Sequence, residues 1–285
     1  MGGGDGNKNR DDRLNHGGYW LETEKWPLDT SGPYKLYLNS DGSLNTNKPK
    51  TKDSFSTYIF DPKNPVPSIG GNVSSLATLR PIPSFISDAR QLPQSYRVEQ
   101  IVFAVGWEQR EAENVYGSKP PYNEPLGARK DVLVFQTAPL SSDLKLVGSI
   151  EVTMWVSSNA PDTDFTAKLI DLYPPSESYV NGYAMNLTDS IIRTRFRNGY
   201  GESEMMTPGE VYEVHIKLPP TSNVFRKGNC IRLDISSSSF PKYDVNPNTG
   251  EPLGCHTKAV KAENTIHVNR KYHSFIRLPF IPNRT

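Results

Sequence analysis

Val156-Ser-Ser-Asn-Ala-Pro-Asp-Thr-Asp-Phe-Thr-Ala-Lys-Leu-Ile-Asp-Leu-Tyr-Pro174 joins two strand patterns. Before it, Ile150-Glu-Val-Thr-Met-Trp-Val156 places an apolar side chain at every second position, and Phe165-Thr-Ala-Lys-Leu-Ile-Asp-Leu172 resumes that period after the Pro161 turn. A period of two sends successive side chains to opposite faces of an extended chain, so each segment is read as a strand burying one face. Val132–Phe135, Ile191–Phe196, Val211–Leu218, Ile231–Ile235 and Phe275–Phe280 repeat the pattern. Turn signals at Pro174-Pro175, Asn181-Gly182, Thr207-Pro-Gly209, Lys227-Gly228 and Asn248-Thr-Gly250 separate them. Tyr34–Leu38 and Phe55–Phe60 are earlier strands, the first ending in the turn Asn39-Ser-Asp-Gly42. The expected fold class is all-β, a two-sheet sandwich or jelly roll.

Composition agrees. With 24 Pro, 21 Gly and 35% hydrophobic residues in 285, and no long Ala/Leu/Glu/Lys-rich stretch, strands joined by many turns dominate and helix is minor. Residues 1–32 read as a lead-in segment whose Gly2, Gly3, Gly4 and Gly6 suggest a flexible linker, and residues 33–285 as one domain. Within it, residues 61–130 form an irregular, Pro-rich insertion, with Val98–Val105 its one strand-like run. So long an irregular stretch in a compact domain implies a binding loop, a lid or a surface that packs on another domain. No repeat of 20 to 50 residues occurs.

Charge excludes some partners. A formal net charge of +1, from 32 basic and 31 acidic residues spread along the chain, leaves no footprint for nucleic acid or an anionic membrane. No apolar run approaches the roughly 20 residues of a membrane span. Cys230 and Cys255 are too few for a disulfide framework, and reduced thiols fit a cytoplasmic setting.

Catalytic signatures are missing. There is no Gly-x-Ser-x-Gly, so the turn that exposes a hydrolase serine is not encoded. Of five histidines, His215 is read on the polar face of its strand, and His16, His256, His267 and His273 in loops or at strand ends. Asp162 and Asp164 with Asp143 or Asp171 can supply oxygens to Ca²⁺, but short aspartates around Thr163 more commonly cap local backbone. Cys and His lack zinc spacing, and Gly2–Gly6 lacks the context of a phosphate loop. No cofactor is expected.

Several blocks together resemble the C-terminal β-domain of the Xaa-Pro dipeptidyl-peptidase and cocaine-esterase (CocE/NonD) group of serine hydrolases. They are the opening stretch, Tyr58-x-Phe-Asp-Pro-x-Asn-Pro-Val-Pro-Ser-Ile-Gly-Gly71, Gln109-Arg110, Asn186-Leu-Thr-Asp189, Pro208–Tyr212, Thr221–Arg226, Ser236-Ser-Ser-Ser-Phe-Pro241 and Asn246–Gly250. The resemblance implies a galactose-binding-like jelly roll. It also implies packing on an α/β-hydrolase domain and helical cap, with a Ser-His-Asp triad lying upstream. Met1 resembles an internal methionine of that family, so the chain is expected to be a fragment, a cleavage product or one half of a split gene. Alone it is expected to be inactive, with the α/β-hydrolase domain as its partner and self-association left open.

Two candidate sites follow. In the cocaine-esterase branch the residues after the Gly-Gly line the acyl pocket, which places Gly71, Asn72, Val73, Ser74 and Ser75 there; these are smaller and more polar than that branch's large apolar pair. Trp20, Trp26, Trp107, Gln109 and Arg110 form a candidate interdomain surface, because Trp and Arg are enriched at interfaces. The alternative to an accessory domain is a stand-alone carbohydrate-binding module, with Tyr179, Tyr183 and Tyr200 stacking on sugar near Asn181 and Asn186. An independent hydrolase would need Ser, His and a carboxylate to converge in space.

Overall fold

A computed structural model of the chain describes residues 2–24, 26, 28, 34–72, 106–113 and 115–281. Among them, twelve strands and two single 3-10 turns make up the regular structure. The strands are β1 (Tyr34–Leu38), β2 (Leu44–Asn45), β3 (Phe55–Phe60), β4 (Leu133–Gln136), β5 (Leu144–Ser158), β6 (Asp164–Tyr173), β7 (Tyr183–Arg193), β8 (Tyr212–Phe225), β9 (Cys230–Ser236), β10 (Ala262–His267), β11 (Phe275–Leu278) and β12 (Phe280–Ile281). One sheet runs β2-β1-β11-β5-β10-β3, with β8 and β12 also paired to β5; the other runs β4-β9-β6-β7. Every pairing between these strands is antiparallel. The expectation of an all-β chain holds, while the strand-like run at Val98–Val105 lies outside the described residues.

Strand ends differ from the sequence reading for physical reasons. β8 continues past Leu218 through Pro219-Pro220, because a bulge opposite Gly148–Ile150 takes up the prolines where no ladder N–H is required. β7 starts at Tyr183 and stops at Arg193, and Thr194–Phe196 turns into a 3-10 segment instead of extending the strand. His267 belongs to β10, a strand concealed because Asn264 occupies an inward position between Ala262 and Ile266.

The two sheets face each other across one apolar core. β5 contributes Val152, Met154 and Val156, β8 Val214 and Ile216, β6 Phe165, Ala167 and Leu169, and β9 Ile231, Leu233 and Ile235. The reading that each strand buries one face fails for β6 and β9, where the outward residues are buried too. Their cover is the irregular segment itself: Val66, Ile69, Val115, Leu126 and Val132 form a second, smaller core above the four-stranded sheet. The described part of 61–130 therefore packs on its own domain.

At one end of the sandwich, Asp162 and Asp164 are buried. Asp162 accepts from the Arg195 backbone N–H at 3.0 Å and from its Nε at 2.9 Å, which is what draws the chain out of β7. Arg193 grips Asp164 with two bonds of 2.9 Å, and Asn246 Nδ2 reaches both carboxylates at 2.9 and 2.7 Å. The aspartates are thus partners of arginines, and not of local backbone alone. Asp143 is held by Arg226 and Asp171 by two asparagines.

At the other end, residues 2–18 pack against the sheets. A Cβ on Gly4 would sit 1.9 Å from the Asn15 carbonyl oxygen, and one on Gly6, at φ +75°, would sit 2.7 Å from the Tyr173 ring. These glycines permit close approach, so the flexible-linker reading is wrong for this stretch. Nearby, Asp171 accepts from Asn223 Nδ2 at 3.0 Å and Asn229 Nδ2 at 2.8 Å. Burial raises its pKa from 3.8 to about 6, with the two asparagines pulling the other way.

Two outcomes are expected. Removing Asp162 (Asp162→Ala) strands a buried guanidinium and should lower the unfolding free energy by about 3–5 kcal/mol in urea titrations at unchanged m-value. Asp171 has a folded pKa above its unfolded one, so its stabilisation is complete below about pH 4 and is lost as pH rises through about 6. Relative to Asp171→Asn, the wild type should lose about 2 kcal/mol between pH 4 and pH 7; a constant difference would contradict this assignment.

Candidate functional site

The outer face of β6, β7 and β9 carries Lys168, Asp189, Arg232 and Asp234, all buried beneath residues 61–72, 106–113 and 115–132. Arg232 pairs with Asp234 through bonds of 2.7 and 2.8 Å. Gly127 lies directly over that guanidinium, where a Cβ would come within 2.1 Å of Arg232. The cover is pinned by Arg129, which binds both Asp131 oxygens at 2.8 Å and the Asn64 carbonyl at 2.8 Å. Val66, Leu126, Thr166, Lys168, Asp189 and Ser238 surround a residual cavity of about 20 Å³, large enough for about one water molecule.

Lys168, at the centre, donates from Nζ to Gln109 Oε1 at 2.5 Å. Burial pushes its pKa below the ordinary value, against the attraction of Asp189 and Asp234. Gln109 Nε2 in turn donates to the carbonyls of Ile69 at 2.9 Å and Trp107 at 3.0 Å. Asn186 on β7 repeats this clasp: its Nδ2 donates to Ile69 O at 3.1 Å, and its Oδ1 accepts from the Trp107 N–H at 2.9 Å. Trp107–Gln109 is thereby fastened along the edge of β7, with Gln109 N–H on Ala184 O at 3.0 Å.

The same strand holds the other candidate. Lys242 Nζ donates to Asp189 Oδ1 at 2.7 Å and to Asn72 Oδ1 at 2.5 Å. Gly71 lies flat against this pair at φ +114°, and a Cβ there would meet Asp189 Oδ1 at 2.7 Å. The structure thus brings together, around Asn186 and Asp189, two stretches that the sequence reading treated separately: Gly71-Asn72 and Trp107–Gln109. Val73, Ser74 and Ser75 lie outside the described residues.

The candidate interface residues divide. Trp20, Trp26 and Trp107 expose 98, 57 and 40% of their surface. Gln109 exposes 1%, because its side chain serves the internal clasp, and it is not a surface residue of this chain. Arg110 is half-buried and paired with Glu108 at 3.1 Å. Lys168, Asp189 and Lys242 were not singled out as site residues, and Asn186 was named only beside a candidate sugar site. The Asn186–Asp189 block carried the family resemblance, but its role emerges only from the contacts.

Among the described residues, other chemistry finds no site of its own. Ser157 Oγ and His267 Nε2 are 3.0 Å apart, yet burial alone moves the His267 pKa, downward, and no carboxylate bonds its ring among the described residues. A Ser-His pair without an orienting acid is not a triad. His215 is half-exposed beside Glu151 at 3.4 Å, on the polar face as expected. Tyr179 and Tyr183 pack edge to face at 4.9 Å, Asn186 is engaged in the clasp, and Tyr200 stands apart against Phe196. No helix among the described residues is long and apolar enough to cross a membrane.

Comparison with known proteins gives a consistent result. Residues 2–277 match the family described as the X-Pro dipeptidyl-peptidase C-terminal non-catalytic domain. The chain is 32% identical to the cocaine esterase of Rhodococcus sp. (strain MB1 Bresler) over 272 residues, 92% of this chain and 40% of that protein. Among solved structures it is similar to an aminopeptidase from a marine sediment Thaumarchaeota archaeon (TM-score 0.71, 27% identity, 93% of this chain and 39% of that one). It is also similar to an α-amino acid ester hydrolase (TM-score 0.66, 26% identity, 87% of this chain and 36% of that one). The chain therefore spans about two fifths of the length of these relatives.

The close fit of Gly71 is testable. Gly71→Ala combines a left-handed backbone with a collision at Asp189 and should cost about 2 kcal/mol of stability. Gly201→Ala, where a Cβ meets nothing within 4 Å, should be near neutral by the same urea titration.

Proposed function

The chain belongs to the X-Pro dipeptidyl-peptidase C-terminal non-catalytic domain family, and from that premise we propose that it is the accessory domain of a serine hydrolase. It packs on an α/β-hydrolase catalytic domain, in the same polypeptide or a separate chain, and walls one side of the active-site cleft. The observation that carries this reading is coverage: 92% of this chain aligns with 40% of an esterase. The whole enzyme's reaction is hydrolysis of an ester or amide through an acyl-enzyme on a serine outside this domain. An ester is favoured, since the named relatives include a cocaine esterase and an α-amino acid ester hydrolase.

Residues 33–285 act as one domain in this scheme. Gly71 and Asn72, with Val73, Ser74 and Ser75 after them, line the cleft, and their small polar side chains suit an acyl group other than a large aromatic one. Trp107, Trp20 and Trp26 meet the catalytic domain, as large exposed aromatics do at interfaces. The anchoring of Trp107 and Asn72 to β7 supports this, because a wall that shapes a cleft must be held by rigid elements. The unpaired cysteines, Cys230 buried and Cys255 exposed, suit a reducing cytoplasm.

The test is hydrolysis of p-nitrophenyl butyrate and of an Xaa-Pro p-nitroanilide by the chain alone and with the α/β-hydrolase protein encoded upstream of it. No turnover alone and turnover in the mixture are expected. Turnover by the isolated chain, or a catalytic partner with the same kcat/KM in its absence, would overturn the reading.

A further inference from the structure

We propose that the buried lysines Lys168 and Lys242, flanking Asp189, are positioning residues that set the spacing between two lips, Ile69–Asn72 and Gly106–Gln109. As elements of a cleft wall they rest on the function proposed above. As an anchor they belong to this chain alone.

The argument begins with what a buried ammonium requires. Lys168 is 9% exposed and the Lys242 side chain 4%. A charge removed from water needs nearby acceptors, and a methionine of similar length would fill the same space without that requirement. Each lysine reaches a different lip. Lys168 holds Gln109, whose two amide hydrogens close on the Ile69 and Trp107 carbonyls. Lys242 holds Asn72.

Both lysines are referred to one strand pair. Lys168 is on β6 and Asp189 is its direct cross-strand partner on β7. Asp189 takes the Lys242 ammonium at 2.7 Å. Asn186, three residues away on β7 across a bulge at Leu187, ties Ile69 to Trp107 directly. The separation of the lips is thus copied from the register of two hydrogen-bonded strands. Gly71 and Gly106 let both lips lie in contact with β7, since a Cβ on Gly106 would come within 2.9 Å of Met185.

Gln109→Glu separates positioning from stability. It keeps an acceptor for Lys168, now as an ion pair, but removes both amide donors to the lips. In the full chain, hydrogen exchange at the Trp107 and Gln109 amides should accelerate by roughly tenfold or more, with Leu169 and Leu233 on the core strands unchanged and the urea midpoint not lowered. Lys168→Met should accelerate the same amides, and adding it to Gln109→Glu should give less than the sum of the two effects. Lip amides that stay protected in Gln109→Glu, or lip and core amides that accelerate together, would overturn the proposal. Should Lys168→Met not fold, Gln109→Glu decides alone.

In a mixture with the catalytic protein that turns over p-nitrophenyl butyrate, Gln109→Glu should raise KM several-fold at unchanged kcat. An unchanged KM would limit the lysines to anchoring and overturn their role in the cleft. A wild-type mixture without activity would defeat the functional reading while the exchange measurement still judged the anchor.

Discussion

Burial of both faces of the four-stranded sheet is the constraint from which the rest of this structure follows. An antiparallel sheet commonly leaves one face to water, where charged side chains are at ease. Here β6 and β9 have no such face, and Lys168, Arg232 and Asp234 lie beneath covering chain. Buried ionic groups require partners, and the cover supplies some of them. Gln109 answers Lys168, while Arg232 and Asp234 answer each other under Gly127. The irregular paths of residues 61–72, 106–113 and 115–132 are therefore held by the sheet below them.

The sandwich ends obey the same rule with different residues. Asp162 and Asp164 receive Arg195, Arg193 and Asn246 at one end, and Asp171 receives Asn223 and Asn229 at the other. Between these polar ends lies one large apolar cluster shared by the two sheets. Buried ion pairs add little net stability but penalise every arrangement that leaves one partner alone. Such a molecule is suited to holding surfaces in fixed relation, as the proposed wall of a catalytic cleft requires.

Legibility of the sequence varied with the range of the interaction. Tyr34–Leu38 and Phe55–Phe60 are strands as read, and Ile150–Val156 and Phe165–Leu172 lie within longer ones, because alternation is written in neighbouring residues. Ala262–His267 was hidden because its inward Asn264 belongs to a buried polar group with Thr163 and Ser237, far away in the chain. Gln109 read as a surface residue because nothing next to it in sequence announces Lys168. The leading glycines read as linker because their reason, the Asn15 carbonyl and the Tyr173 ring, is a matter of packing.

From the sequence by itself come the all-β class, most strand positions, the missing serine elbow and the family resemblance carried by Tyr58–Gly71, Asn186–Asp189 and Asn246–Gly250. Each rests on local periodicity or on residues in a recognisable order. The tertiary structure alone decided that the proline-rich segment covers its own sheet, that Asp162 and Asp164 face arginines, and that Gly71-Asn72 and Trp107–Gln109 meet on β7. Those outcomes depend on which buried polar group finds which partner, and such pairings join residues tens of positions apart whose proximity exists only once the sheets have formed.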